Sequence, residues 1–250
     1  MISFILAISI GAFYYYRRQK RLDKKFAEAE SLNNTFNADK AFKPSLQPDN
    51  PLGFGYKNLW FAFKGADKND IAEMLDFKII GPSNWKDGLE HAYEDKIFIT
   101  PAVEGWTLVT GYGLLPLVKT VGTDSEICDR LSKKYNEAQY FCTHRVTEYH
   151  VWCRSVEGKT QRYYSYIGEQ GENLRIEGEP SLFEKNYNLV NAFSHESLEE
   201  SYFEDENLIY PNEQFVMEIA GNWSVNPTEI EKYPNWENDF GIVCELNLEH

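Results

Sequence analysis

This chain has no CxxC pair, no GxSxG, no HExxH, no P-loop lysine motif and no dinucleotide-binding GxGxxG. It therefore lacks the short patterns by which zinc sites, serine hydrolases, metalloproteases and nucleotide enzymes announce themselves. Gly53-Phe54-Gly55 and Gly111-Tyr112-Gly113 miss the third glycine and the strand-to-helix setting. Cysteine is scarce. Cys128, Cys142, Cys153 and Cys244 are the four present, with no metal-ligand spacing. They are expected to be reduced and mostly buried, which suits a reducing compartment. No metal and no cofactor are expected.

Basic side chains are also few, and unevenly placed. Residues 1–25 hold six of the 25 Lys/Arg and one of the 39 Asp/Glu, leaving 19 basic against 38 acidic side chains in the rest. Such a body repels phosphates, so nucleic acid is not an expected partner, and a basic protein is the complementary one.

Long apolar runs are absent but for one. Ile2 to Tyr16 is uncharged and ends in Arg17-Arg18-Gln19-Lys20-Arg21. At fifteen residues it is short for a span of about 20. Snorkelling arginines extend it, and its three tyrosines suit an interface. A secretory signal has the reverse order of charge and apolar run. The reading is a single-pass membrane anchor over 1–25. The positive-inside rule then puts the C-terminal domain in the cytoplasm, at a bacterial inner membrane. A buried N-terminal helix is the alternative. Residues 26–58 are expected to be a linker: Lys24 to Leu32 can continue as a helix, and Asn33 to Gly55 carries Pro44, Pro48, Pro51 and two glycines without periodicity. Asn33-Asn34-Thr35 and Asn222-Trp223-Ser224 match the glycosylation pattern, which a cytoplasmic body leaves unused.

A single domain is expected over 59–250. Leu59–Phe63 is a buried strand. Asp67 and Ser83 are helix caps, with Gly81-Pro82 breaking the chain between the two helices. Residues 96–100 and 106–110 form a hairpin, and Thr123 with Glu126 has capping-box spacing. Glu148–Val156 alternates, Glu157-Gly158 turns, Thr160–Ile167 returns and a third short strand holds Leu174 and Ile176. Pro180, Pro211 and Asn226-Pro227 read as helix starts, and 241–246 as a closing strand. The fold class is α+β: a mixed or antiparallel sheet of six or seven strands, with helices packed mainly on one face.

One face of the meander presents Trp152, Arg154, Arg162 and Tyr164 and is the candidate binding surface. More often, rings and arginine stems in this mixture lie beneath a covering helix. Residues 195–207 carry six acidic side chains and read as a solvated loop. His144, Glu148 and His150 share a face with Cys142, but the bend at 143–148 and the lack of a paired spacing argue against zinc. Glu169, Glu172, Glu177 and Glu179 cluster among glycines. They offer carboxylate chemistry, or simply a solvated loop. The six tryptophans are spread over nearly every element, as packing residues are.

The stretches SNWKDGLEHAYEDKIFITPAVEGWTLVTGYGL, EAQYFCTHRVTEYHVWCR, YSYIGEQGENLRIEGEP and PNEQFVMEIAGNWSVNPTEIE resemble a family of uncharacterised bacterial proteins associated with toxin–immunity neighbourhoods, over residues 59–231. The resemblance implies an interaction protein rather than an enzyme. The expected function is thus a membrane-anchored cytoplasmic protein-binding module, immunity-like, with a basic protein partner. The alternatives are a hydrolase using carboxylates or His144/His150, and a membrane-associated scaffold.

Overall fold

A computed structural model describes residues 42–118, 122–168 and 171–247. The expected anchor, the first part of the linker and Glu169 lie outside them. Among the described residues no helix is long and apolar enough to cross a membrane. The fold is α+β, built on one nine-stranded, wholly antiparallel sheet.

The strands are β1 (Asn58–Lys64), β2 (Phe77–Ser83), β3 (Ile97–Ile99), β4 (Trp106–Thr110), β5 (Glu137–His144), β6 (Tyr149–Val156), β7 (Lys159–Ile167), β8 (Glu172–Glu177) and β9 (Gly241–Leu246). Their order is β2-β9-β3-β4-β1-β5-β6-β7-β8. The helices are α1 (Lys68–Met74), α2 (Trp85–Glu94), α3 (Thr123–Tyr135) and α4 (Glu213–Trp223).

Helices cover both faces, not mainly one as the sequence reading expects. The reason lies in β1, where Leu59, Phe61 and Phe63 point one way and Trp60 and Ala62 the other, all of them buried. A strand apolar on both sides needs a cover on both. On the first face Phe61, Phe63, Tyr140, Val151 and Tyr163 pack under Ile71 of α1 and Ile127 and Leu131 of α3. On the second Trp60, Phe98, Phe141, Trp152 and Tyr164 pack under Trp85 and Leu89 of α2 and Phe215 and Ile219 of α4. Phe98 is held so closely that a Cβ at Gly88 of α2 or Gly241 of β9 would fall 2.3 Å from its ring.

The meander has the expected faces and turn. Glu157 and Gly158 both take positive φ, 49° and 84°, which a two-residue hairpin of the primed type requires. Three local expectations change. Gly81-Pro82 does not break the chain but runs inside β2, an edge strand with a bulge between Ile79 and Gly81, where a missing N–H costs least. Asn84, not Ser83, caps α2, its Oδ1 accepting from Asp87 N at 3.0 Å. Gly122, at φ 102°, stands at the N-cap of α3, making Thr123 the first helical residue.

The expected linker, 26–58, is laid against the domain over its described part. Both oxygens of Asp49 accept from the α2 N-terminus, from Trp85 N at 2.6 Å and Lys86 N at 3.1 Å. Ser45 Oγ donates to Asp87 Oδ2 at 2.7 Å. Phe54 is buried against Trp60, and its N–H reaches Pro227 O. Asp49 thus supplies acceptors for two of the N–H groups that a helix start cannot satisfy within itself. Asp49→Ala is expected to lower stability by about 1 kcal/mol, as loss of a cap does. A denaturation midpoint unchanged in this variant would show that Asp49 does not cap α2.

Candidate interaction surface

The four side chains singled out in the meander do lie on one face, but that face is covered. Trp152, Arg162 and Tyr164 are buried, and only Arg154 is partly exposed. Trp152 and Tyr164 stack at 4.3 Å, and the Arg162 guanidinium lies 5.5 Å from the Tyr164 ring centroid. The cover is α4 with the segment before it. Phe215 meets the Trp152 ring at 5.7 Å. Glu184, fully buried, accepts from Trp152 Nε1 at 2.9 Å and from Arg162 Nε at 2.8 Å. Tyr164 donates to Val190 O at 2.7 Å. As an open recognition surface this set is therefore corrected: its aromatic area is spent on packing. Arg154 pairs with Glu137 at 2.6 Å at the margin of that face. A signal for the cover is present in the sequence as Ser181-x-x-Glu184. It forms a reciprocal capping box in which Glu184 Oε2 accepts from Ser181 N at 2.8 Å and Ser181 Oγ from Glu184 N at 3.3 Å.

The enzyme candidates do not converge. His150 is buried on Thr143 at 3.1 Å, and burial, aided by the nearby His144, holds its pKa down to about 4. His144 contacts Thr147 at the β5–β6 turn. Glu172, Glu177 and Glu179 are exposed beside the β8 edge. Among the described residues no group of three His, Cys, Asp or Glu is placed to hold a metal. A groove of about 460 Å³ lies elsewhere, lined by Asp67, Lys68, Glu237 and Asp239 among others, with Lys68 bonded to Asp239 at 2.6 Å. None of the candidate histidines or glycine-rich-loop glutamates lines it.

Among the described residues, about half of the exposed large apolar side chains lie in the covering segment itself, the others, such as Leu46 and Val146, being scattered elsewhere. Between β8 and α4 the chain forms only single 3-10 turns. Its excursion is closed at the neck by a bridge between Leu189 and Ile209 and pinned inside by Asn191 N donating to Tyr202 Oη at 2.8 Å. Val190 and Leu208 point into the core and hold the excursion down. Phe193, Leu198, Phe203 and Tyr210 remain exposed, Leu198 at 76% and Phe203 at 43%.

Around them stand Glu196, Glu199, Glu204, Asp205 and Glu206, all exposed. From Asn186 to Glu231 there is not one Lys or Arg. Among the described residues the ion pairs lie elsewhere, as at Lys78–Glu245, Lys134–Asp70 and Arg175–Glu177. Hydrogen bonds from its own N–H and from Ser194 hold the Glu196 pKa below the usual carboxylate range. The Asn207 N–H and side chain do the same for Asp205. The loop read as merely solvated is thus a folded ledge that combines fixed negative charge with exposed rings. Composition shows its charge, but its apolar side chains look like core residues until the neck is seen. Compared with family models, curated proteins and solved structures, the chain has no match.

Proposed function

We propose that this protein is a protein-binding module tethered to the cytoplasmic face of a membrane through residues 1–25, with the ledge at 193–210 as its contact surface. The observation that carries the reading is the ledge itself. Phe193, Leu198 and Phe203 stay in water beside exposed carboxylates, in a segment that holds no Lys or Arg. An isolated exposed leucine means little, but a group of large apolar side chains on one folded excursion marks an interaction site. The resemblance over 59–231 points the same way, toward an immunity-like role.

The test is co-purification from detergent-solubilised membranes. It compares the full chain, a chain starting at residue 26, which keeps the docked arm, and the full chain carrying Leu198→Ser and Phe203→Ser. A stoichiometric partner held by the first two and lost from the third is expected. A partner retained equally by all three would remove the ledge from the reading, and no stoichiometric partner in any of them would end it.

A further inference from the structure

We infer that the ledge takes a segment of another protein in which Lys or Arg alternates with large apolar residues. This rests on the binding-module reading and names the chemistry of its partner. Two properties of the surface must be matched at once. The first is charge. Glu196, Glu199, Glu204, Asp205 and Glu206 are exposed within eleven positions, and no Lys or Arg lies between Lys185 and Lys232. Like charges at that density repel one another, and a basic partner relieves the repulsion while gaining attraction. The second is apolar area. Phe193, Leu198 and Phe203 alternate in sequence with those acids. A partner offering charge alone would leave them in water.

Other occupants fit less well. Nucleic acids and anionic lipid headgroups carry the same sign of charge as the ledge. A second copy docked ledge to ledge would set acid against acid. A lone divalent cation would leave the rings unused, and among the described residues the carboxylates are not grouped to hold one.

The probes are three labelled peptides of equal length, one of Lys and Leu, one of Lys and Gln, and one of Glu and Leu. Binding to the full chain in detergent is read by fluorescence anisotropy at low and high salt. The Lys–Leu peptide is expected to bind, and to lose roughly tenfold in affinity on going to high salt. It should lose about tenfold again on the Leu198→Ser, Phe203→Ser protein, whose melting temperature checks its fold. The Lys–Gln peptide should bind at least about tenfold more weakly, and the Glu–Leu peptide not measurably. Equal affinity of the Lys–Leu peptide for the native and doubly substituted proteins would overturn the inference. So would Lys–Gln binding as tightly as Lys–Leu, which would reduce the ledge to unspecific charge. A full chain with Arg17, Arg18, Lys20 and Arg21 changed to Gln that binds the peptide tenfold more tightly would also overturn it, because the chain's own basic stretch would then be the occupant. Failure here with a ledge-dependent partner still captured from membranes leaves the binding module standing and removes only the proposed partner chemistry. Failure of both removes both.

Discussion

Glu184→Ala is expected to lower the stability of the domain by about 3–5 kcal/mol, the range seen when one partner of a buried ion pair is removed. Glu184 is fully buried and the Arg162 side chain only 6% exposed, with Nη2 2.8 Å from Oε1. One carboxylate also receives the Trp152 indole N–H and the Ser181 N–H. Truncation leaves a guanidinium and two donors in a place without water. Part of the charge keeps company, since Arg162 Nη1 also donates to Gly178 O at 2.9 Å. Glu184→Gln, which keeps an acceptor, should cost less. The pair replaced together, Arg162→Met with Glu184→Leu, should cost less than Glu184→Ala alone, because no orphan charge remains. The measurement is the denaturant midpoint, with an unchanged slope as the check on two-state unfolding. A loss below 1 kcal/mol for Glu184→Ala would mean that the network does not carry this face.

The second large effect is a pair of opposed pH dependences. Burial raises the Asp124 carboxyl to about 6, against hydrogen bonds from Tyr163 Oη and Ser125 N and the field of Arg175. A folded value above the unfolded 3.8 means that the folded state binds the extra proton between pH 3.8 and 6. Stability therefore falls as pH rises through that window, and the loss is complete above it. His150 acts the other way. Its folded value, about 4, lies below the unfolded 6.5, so its share of stability is full above 6.5 and disappears as pH falls to 4. Each shift corresponds to roughly 3 kcal/mol at its limit. In the native protein the two slopes oppose one another. Asp124→Asn should stabilise at pH 7 by up to that amount and show no gain at pH 4. His150→Asn should be most destabilising at pH 7, with the difference from the native protein narrowing as pH falls. Stability curves parallel to the native one across pH 4–7 would refute both assignments.

Much of this fold is written locally. The β6–β7–β8 meander, its turn at Glu157-Gly158, the inward stripe of α4 and the strand at 59–63 follow from alternation, helical period and turn chemistry. Strand count and layering are not local. β3 has only three residues, and β2 is hidden by Gly81-Pro82, which reads as a stop unless the strand is known to lie at an edge. The position of β9 between β2 and β3 depends on contacts far apart in sequence. The face that alternation offers for binding is covered for the same reason. Alternation puts Trp152, Arg154, Arg162 and Tyr164 together, but cannot say that Glu184 and Val190 will cover three of them. The surface we propose lies on the cover instead, where the acids are legible in the sequence and the exposure of the rings is not.

The place of β9 has a consequence for how the chain comes off the ribosome. Among the described residues β2 has one strand neighbour, Gly241–Leu246. Throughout synthesis of the central strands, Phe77–Ser83 waits without a partner and β3 is open on one side. The sheet closes only after its other eight strands have emerged. Translation and completion of the fold are thereby separated in time, and a half-finished chain carries an unpaired strand next to its N-terminal arm, where growing neighbours can reach it.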